Sequence, residues 1–313
     1  MTGTNVTIKV KGKSQMDLYN LVIQKANNYL YDDLNDNSLI VKLENDCNVR
    51  IDDKNKCIKW GNQFVDALYK DAIDLYKPCI SYLNHLLKMH VTTDEVFYET
   101  VRLITGHEYG HFYRRHSQIG QVVLPTIKRE AEHLMNCYTL NNSLSESNRR
   151  AFVQQYVARV FEQTKEIDAD KQAIGKFRSR IDKYGDKERI ILLMAIFLNR
   201  FSDQHQFEAK VDIKNDTKQN AEKESFPWFV EMYHISHPYA HVRFYNDIVE
   251  FRLNFGLKSQ EQDMLYYIQN NCQSTSRRFK LCFSSIEDFD NRGHYQNLMK
   301  FWNEFEGKIT LTS

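Results

Sequence analysis

Proline and glycine are scarce in this chain of 313 residues, with 4 and 11 copies. Such sparse punctuation leaves few places to cut it. No internal repeat, low-complexity tract or composition shift supplies one, so a single domain over residues 1–313 is expected. An excess of one charge is missing too: 42 Lys and Arg oppose 41 Asp and Glu, a net charge of +1. That balance lacks the basic footprint of a nucleic-acid binder. The longest apolar run, Ile190–Leu198, falls far short of the roughly 20 residues that span a bilayer. It reads as a buried core helix, and no membrane span is expected. Met1-Thr2-Gly3-Thr4-Asn5 has neither the basic start nor the apolar run of a secretory signal. The six cysteines show no paired metal-ligand spacing. They read as reduced thiols in a cytoplasmic protein, a Cys47–Cys57 link across a hairpin being the weaker alternative.

What is present is enough apolar material for a core, 42% hydrophobic and 13% aromatic, which argues against disorder. Strand signals gather in residues 1–60: Asn5–Val10 alternates Val6, Ile8 and Val10, and Ser38–Leu43, Val49–Ile51 and Cys57–Trp60 are short β-prone runs between Asn/Asp-rich turns. They predict a small N-terminal antiparallel sheet interrupted by a helix over about 14–31. Residues 61–256 read as a helical core. Phe64, Leu68, Ile73, Leu75 and Tyr76 form one buried face that ends near Pro78. Thr93 is the expected N-cap of a helix running to about His116, with Asp94 and Glu95 suited to its positive start. A helix over Arg129–Leu140 follows Pro125, then a long one capped by Ser145 or Ser147, with Val153, Tyr156, Val157, Val160 and Phe161 at core spacing. The polar, lysine-rich stretch 202–227 reads as an exposed loop, and 257–313 as an aromatic-rich helical end. The expected class is α+β, predominantly helical.

The chemistry concentrates in His107-Glu108-Tyr109-Gly110-His111. Residues four apart on a helix share a face, so both imidazoles can reach one ion. Glu108 projects to the side, where it can take a proton from the attacking water. This is the logic of HExxH sites. A catalytic zinc wants a third protein ligand and one open position. Position 117, where one HExxH class carries a third histidine, is Ser117; His116 is off by one and reads as a solvated helix-end residue. The better source is Glu166-Ile167-Asp168-Ala169-Asp170. There Glu162, Glu166, Ala169, Asp170 and Ala173 make a stripe of acidic and small residues. Small residues permit close packing on the HExxH helix, and a cation would neutralise acids turned toward a core. Glu166 is the expected third ligand, with Asp168, Asp170 and Glu162 as rivals. Asp170 is suited to accept the outer N–H of a ligand histidine. In Ser236-His237-Pro238-Tyr239-Ala240-His241-Val242-Arg243, His237 is placed to donate to an oxyanion. Arg243 is placed to pair with Glu166 or Asp170. His234 and His241 are weaker site members.

Taken in order, His107–His111, Glu166–Asp170 and His237-Pro238 with Arg243 resemble the HExxH, ExxAD and HPxxxxR signatures of gluzincin peptidases of the HtpX and CAAX-prenyl-protease type. Those relatives carry transmembrane helices. The soluble phage-exclusion peptidases of the Lit family look closer, although positions 112 to 165, 54 residues, form a gap that looks longer than theirs. The resemblance implies a zincin-like fold with Zn2+ on His107, His111 and Glu166 and Glu108 as base. It also implies cleavage of a cytosolic host protein during phage infection, with elongation factor Tu a candidate substrate. Two other classes of function fit the same residues. One is a triggered zincin that cuts a single partner, gated by 202–227. The other is a helical binding or scaffold protein whose metal is structural.

Overall fold

A computed structural model describes residues 15–118, 125, 127–129, 131–133, 145–216 and 240–271. The strand expected over Asn5–Val10, His237 with Pro238, and 272–313 lie outside the described residues. Helix α1 (Gln15–Asn28) runs into a π-helical turn, Tyr29–Asp33. Strands β1 (Ile40–Glu44), β2 (Val49–Asp52) and β3 (Cys57–Gly61) follow. Then come α2 (Asn62–Tyr76), α3 (Ile80–Leu87), α4 (Thr93–Tyr113) and the long α5 (Glu146–Lys176). The described chain ends with α6 (Arg178–Tyr184), α7 (Asp186–Asp216), α8 (Ala240–Phe255) and α9 (Ser259–Asn271). Among the described residues the protein is mostly helical with one small sheet.

That sheet is mixed, which corrects the expected antiparallel one. Its order is β1-β3-β2, with β3 antiparallel to β2 but parallel to β1. The reason is burial. In β3, Cys57, Ile58 and Trp60 are all buried, while β2 alternates Arg50 and Asp52 with its apolar residues. The most buried strand takes the centre and the more exposed ones take the edges. Cys47 is exposed and Cys57 buried, both as free thiols.

Helix α4 is the spine of the molecule, packed by α1, α2, α5, α7 and β2. Its cap is Thr92, one residue before the expected Thr93. The Thr92 hydroxyl accepts from the Glu95 N–H at 3.2 Å and the Glu95 carboxylate accepts from the Thr92 N–H at 2.8 Å. This reciprocal box is worth roughly 0.5–2 kcal/mol. Everything from Leu103 to Gly110 is buried, so the HExxH segment sits in the core.

The second core helix is α7, buried without interruption from Glu188 to Ser202, as the apolar run Ile190–Leu198 implies. The Tyr76 hydroxyl, on α2, donates to the Met194 carbonyl. On α2 the buried face is Val65, Leu68, Ala72, Leu75 and Tyr76, while Phe64 and Ile73 are only partly buried. The reading of 202–227 as a loop is overturned as far as Asp216, because α7 continues to that residue. Polarity was misleading there: Gln, Glu, Ala and Lys are good helix formers, and Phe201 and Ser202 still lie in the core. Positions 217–227 lie outside the described residues, as does most of the helix expected over Arg129–Leu140. No described helix is long and apolar enough to cross a membrane.

Candidate metal centre

Two glycines let α5 approach α4. A Cβ on Gly110 would lie 3.1 Å from both the Cα and carbonyl oxygen of Ala169, and one on Gly106 would lie 3.4 Å from the Ala173 Cβ. The small faces predicted for these helices therefore meet. They bring Glu166, one turn before Asp170, beside the two histidines of α4. Gly110→Ala is expected to push α5 away by a few tenths of an ångström. It should weaken metal binding about tenfold, about 1.4 kcal/mol, in a chelator-competition titration.

His107, His111 and Glu166 form the one group of metal-ligating side chains found among the described residues. His107 Nε2 lies 3.1 Å from His111 Nε2 and 3.3 Å from one Glu166 oxygen, and His111 Nε2 is 3.4 Å from the other. An ion held tetrahedrally at about 2.0–2.1 Å sets its ligand atoms about 3.3–3.4 Å apart. The residues therefore fit such an ion, with two neutral nitrogens and one carboxylate, a donor set that suits zinc. Among the described residues three ligands are gathered rather than four. Among the rivals, Glu162 points outward with Lys165, Asp168 is taken by His116 and Arg114, and Asp170 faces the outer nitrogen of His107.

Asp170 accepts from His107 Nδ1 at 2.8 Å, leaving Nε2 for an ion. The Asp170 carboxylate is itself clamped by two arginines. Arg243 grips it with Nε and Nη2, at 2.8 and 2.7 Å, and Arg200 Nη2 reaches it at 2.7 Å. Arg243 is only 4.0 Å from Glu166, so of its two expected partners Asp170 is the one it holds. Burial would raise the Asp170 carboxyl, but the charges of Arg200, Arg243 and His107 hold it well below the ordinary carboxylate range. Arg200 is 1% exposed and also donates to Asp247 at 2.7 Å and Asp203 at 2.8 Å.

The electrostatics divide the two histidines. Burial pushes the His107 imidazolium down, but the charge and hydrogen bond of Asp170 outweigh it and raise its pKa to about 10. Burial pushes His111 down to about 3, so that ring is neutral. The pocket thus favours one added positive charge at His107. Burial also pushes Glu108 up to about 7, against the lowering pull of His107 and of the Ile51 N–H that bonds its carboxylate. Ile51 belongs to β2, which has β3 on one side only among the described residues.

The expectation of a solvated His116 is wrong. His116 is 3% exposed, and its Nδ1 lies 2.7 Å from His111 Nδ1 while its Nε2 lies 2.9 Å from Asp168. Arg114 Nε donates to the same Asp168 oxygen at 2.9 Å. Sequence spacing missed this arrangement because five residues do not share a helix face. Arg200 and Asp247 were missed as well. A signal existed for them: Arg200 lies two residues past the apolar run Ile190–Leu198, and Arg243 and Asp247 are four apart on α8. No protein-family model, curated protein or solved structure matches the chain.

Proposed function

We propose that the protein is a zinc metallopeptidase that hydrolyses peptide bonds of a cytosolic protein. The observation that carries this reading is the convergence of His107, His111 and Glu166 at tetrahedral ligand spacing beside a buried Glu108 that is not one of the group. When bound there, zinc supplies Lewis acidity, polarising the scissile carbonyl and acidifying a water. Glu108 takes the proton from the attacking water and passes it to the leaving amine as the C–N bond breaks. Its raised pKa suits both transfers, since the best proton shuttle titrates near the working pH. Asp170, clamped by Arg200 and Arg243, holds His107 in the tautomer that presents Nε2. His237, six residues before Arg243 in the chain, is the proposed oxyanion donor. The edge of β2 beside Glu108, unpaired among the described residues, would offer backbone groups to an extended peptide.

A structural metal in a scaffold protein would call for a fourth ligand and gives Glu108 nothing to do. The resemblance to Lit-type peptidases directs the substrate search to host proteins under phage infection.

The test is elemental analysis of the purified parent and Glu166→Ala, each incubated with host-cell lysate. About one zinc per parent chain is expected, falling at least tenfold in retention under chelator in the variant. A discrete new fragment should form with the parent alone. Parent protein without metal, or a fragment formed equally by both, would overturn the reading.

A further inference from the structure

Helix α4 does not end where its ligands end. Its last residues close a Schellman turn: the Arg115 N–H bonds the Phe112 carbonyl at 3.0 Å and the His116 N–H bonds the His111 carbonyl at 3.0 Å. The residue that reverses the chain is Arg115, at φ 54°. This left-handed position is normally given to glycine, since a Cβ there costs roughly 1–2 kcal/mol. The cost is met for a particular outcome. In a Schellman turn the residue after the reversal folds back onto the residue five before it, usually as an apolar contact. Here those two residues are His116 and His111, and the contact is a hydrogen bond between ring nitrogens.

The tautomers follow from one requirement. A His111 ring that offers Nε2 to an ion carries its proton on Nδ1, and that proton needs an acceptor. His116 Nδ1, 2.7 Å away, accepts only if the His116 proton sits on Nε2. Asp168, fully buried, is the acceptor 2.9 Å from that Nε2. Arg114 at 2.9 Å and Gln172 at 3.4 Å hold Asp168 in turn. Every link has a donor and an acceptor: moving the His111 proton to Nε2 leaves two lone pairs face to face, and moving the His116 proton to Nδ1 sets two N–H groups together and a bare Nε2 against the Asp168 carboxylate.

We propose that His116 and Asp168 are positioning residues that lock His111 in its metal-binding tautomer, so that affinity for zinc depends on the turn after the motif helix. This rests on the metal-site reading above. The two histidine ligands are thereby held differently: His107 by a carboxylate directly, His111 by a carboxylate acting through an intervening imidazole. Outer partners of ligand histidines set metal affinity by a factor of about 10–100.

The experiment measures zinc dissociation constants by chelator competition for the parent, His116→Ala, His116→Asn and Arg115→Gly, with circular dichroism to confirm folding. His116→Ala should weaken zinc about 10–100-fold. His116→Asn, whose amide oxygen can accept from His111 Nδ1, should recover most of that loss. Arg115→Gly should bind as the parent does, because glycine adopts φ 54° freely. Long-range nitrogen–proton NMR of the histidine rings in the zinc-loaded parent reads the same lock without a variant. His111 should be protonated at Nδ1 and His116 at Nε2. Equal zinc binding by His116→Ala and the parent, or a His116 ring protonated at Nδ1, overturns the role of His116 alone. A parent that takes up no zinc overturns the metal reading beneath it.

Discussion

Glu108→Gln is expected to lower the rate of peptide hydrolysis by roughly 10²–10⁴ while zinc content stays that of the parent, the span typical for loss of a positioned general base. The amide keeps the size of the side chain and its hydrogen bond from Ile51 but cannot take a proton. Burial penalises the charge of a glutamate at this site and pushes it up to about 7 in the absence of metal. Activity of the parent should therefore fall as pH drops through the Glu108 pKa. A bound divalent ion favours the carboxylate, so that limb should lie below 7.

The same shift has a consequence for stability of opposite sign. A carboxyl whose folded pKa lies above its unfolded value of about 4.5 binds its proton better in the folded state. Stability is then fullest below pH 4.5 and is lost as pH rises to 7. In excess chelator at pH 8 the glutamine variant should be the more stable protein, by about 1–3 kcal/mol. Urea denaturation and single-turnover cleavage measure the two effects. A variant that cleaves at the parental rate would remove Glu108 from the mechanism.

Arg200→Met is expected to cost about 3–5 kcal/mol of folding free energy, the usual result of removing one partner from a buried ionic cluster. Arg200 reaches three carboxylates, Asp170, Asp203 and Asp247, from the middle of the core. Without it, Asp170 keeps Arg243 and His107, but Asp247 keeps one buried oxygen with no hydrogen-bond partner among the described residues and loses the bond to the other. Burial already pushes the Asp247 carboxyl up to about 7 against the pull of Arg200. Adding Asp247→Asn to Arg200→Met should therefore recover part of the loss. Lysine should not replace Arg200, since a single ammonium cannot span the cluster as a planar guanidinium does. Zinc affinity should fall along with stability in Arg200→Met, because Asp170 orients His107. Urea midpoints for the two single variants and the double variant measure the coupling. A cost under about 1 kcal/mol would mean that the cluster is better solvated than its burial implies.

Much of this architecture is local in origin and therefore legible along the chain. The i, i+4 spacing of His107 and His111, the small faces of Gly110, Ala169 and Ala173, the acidic first turn of α4 and the apolar run of α7 are all properties of a helix and its own side chains. They require no knowledge of partners. Glu166 stood out from Asp168 and Asp170 only as a preference, since three acids within five residues of a helix point in different directions, and which one meets the histidines depends on how α5 lies on α4. The sheet was misjudged for a similar reason. β1, β2 and β3 are each visible as strands, but pairing is a contest for the buried centre, which β3 won.

The helix beyond Ser202 was hidden by its polar composition, because polarity reports solvent contact and not backbone conformation. His116 was hidden by its register. No pattern of spacing announces a left-handed arginine, and only the folded turn returns His116 to His111 and Asp168. The sequence alone determined which residues can share a helix face. The tertiary structure decided which faces meet, because burial, close approach and charge pairing between distant segments are settled only when the helices pack.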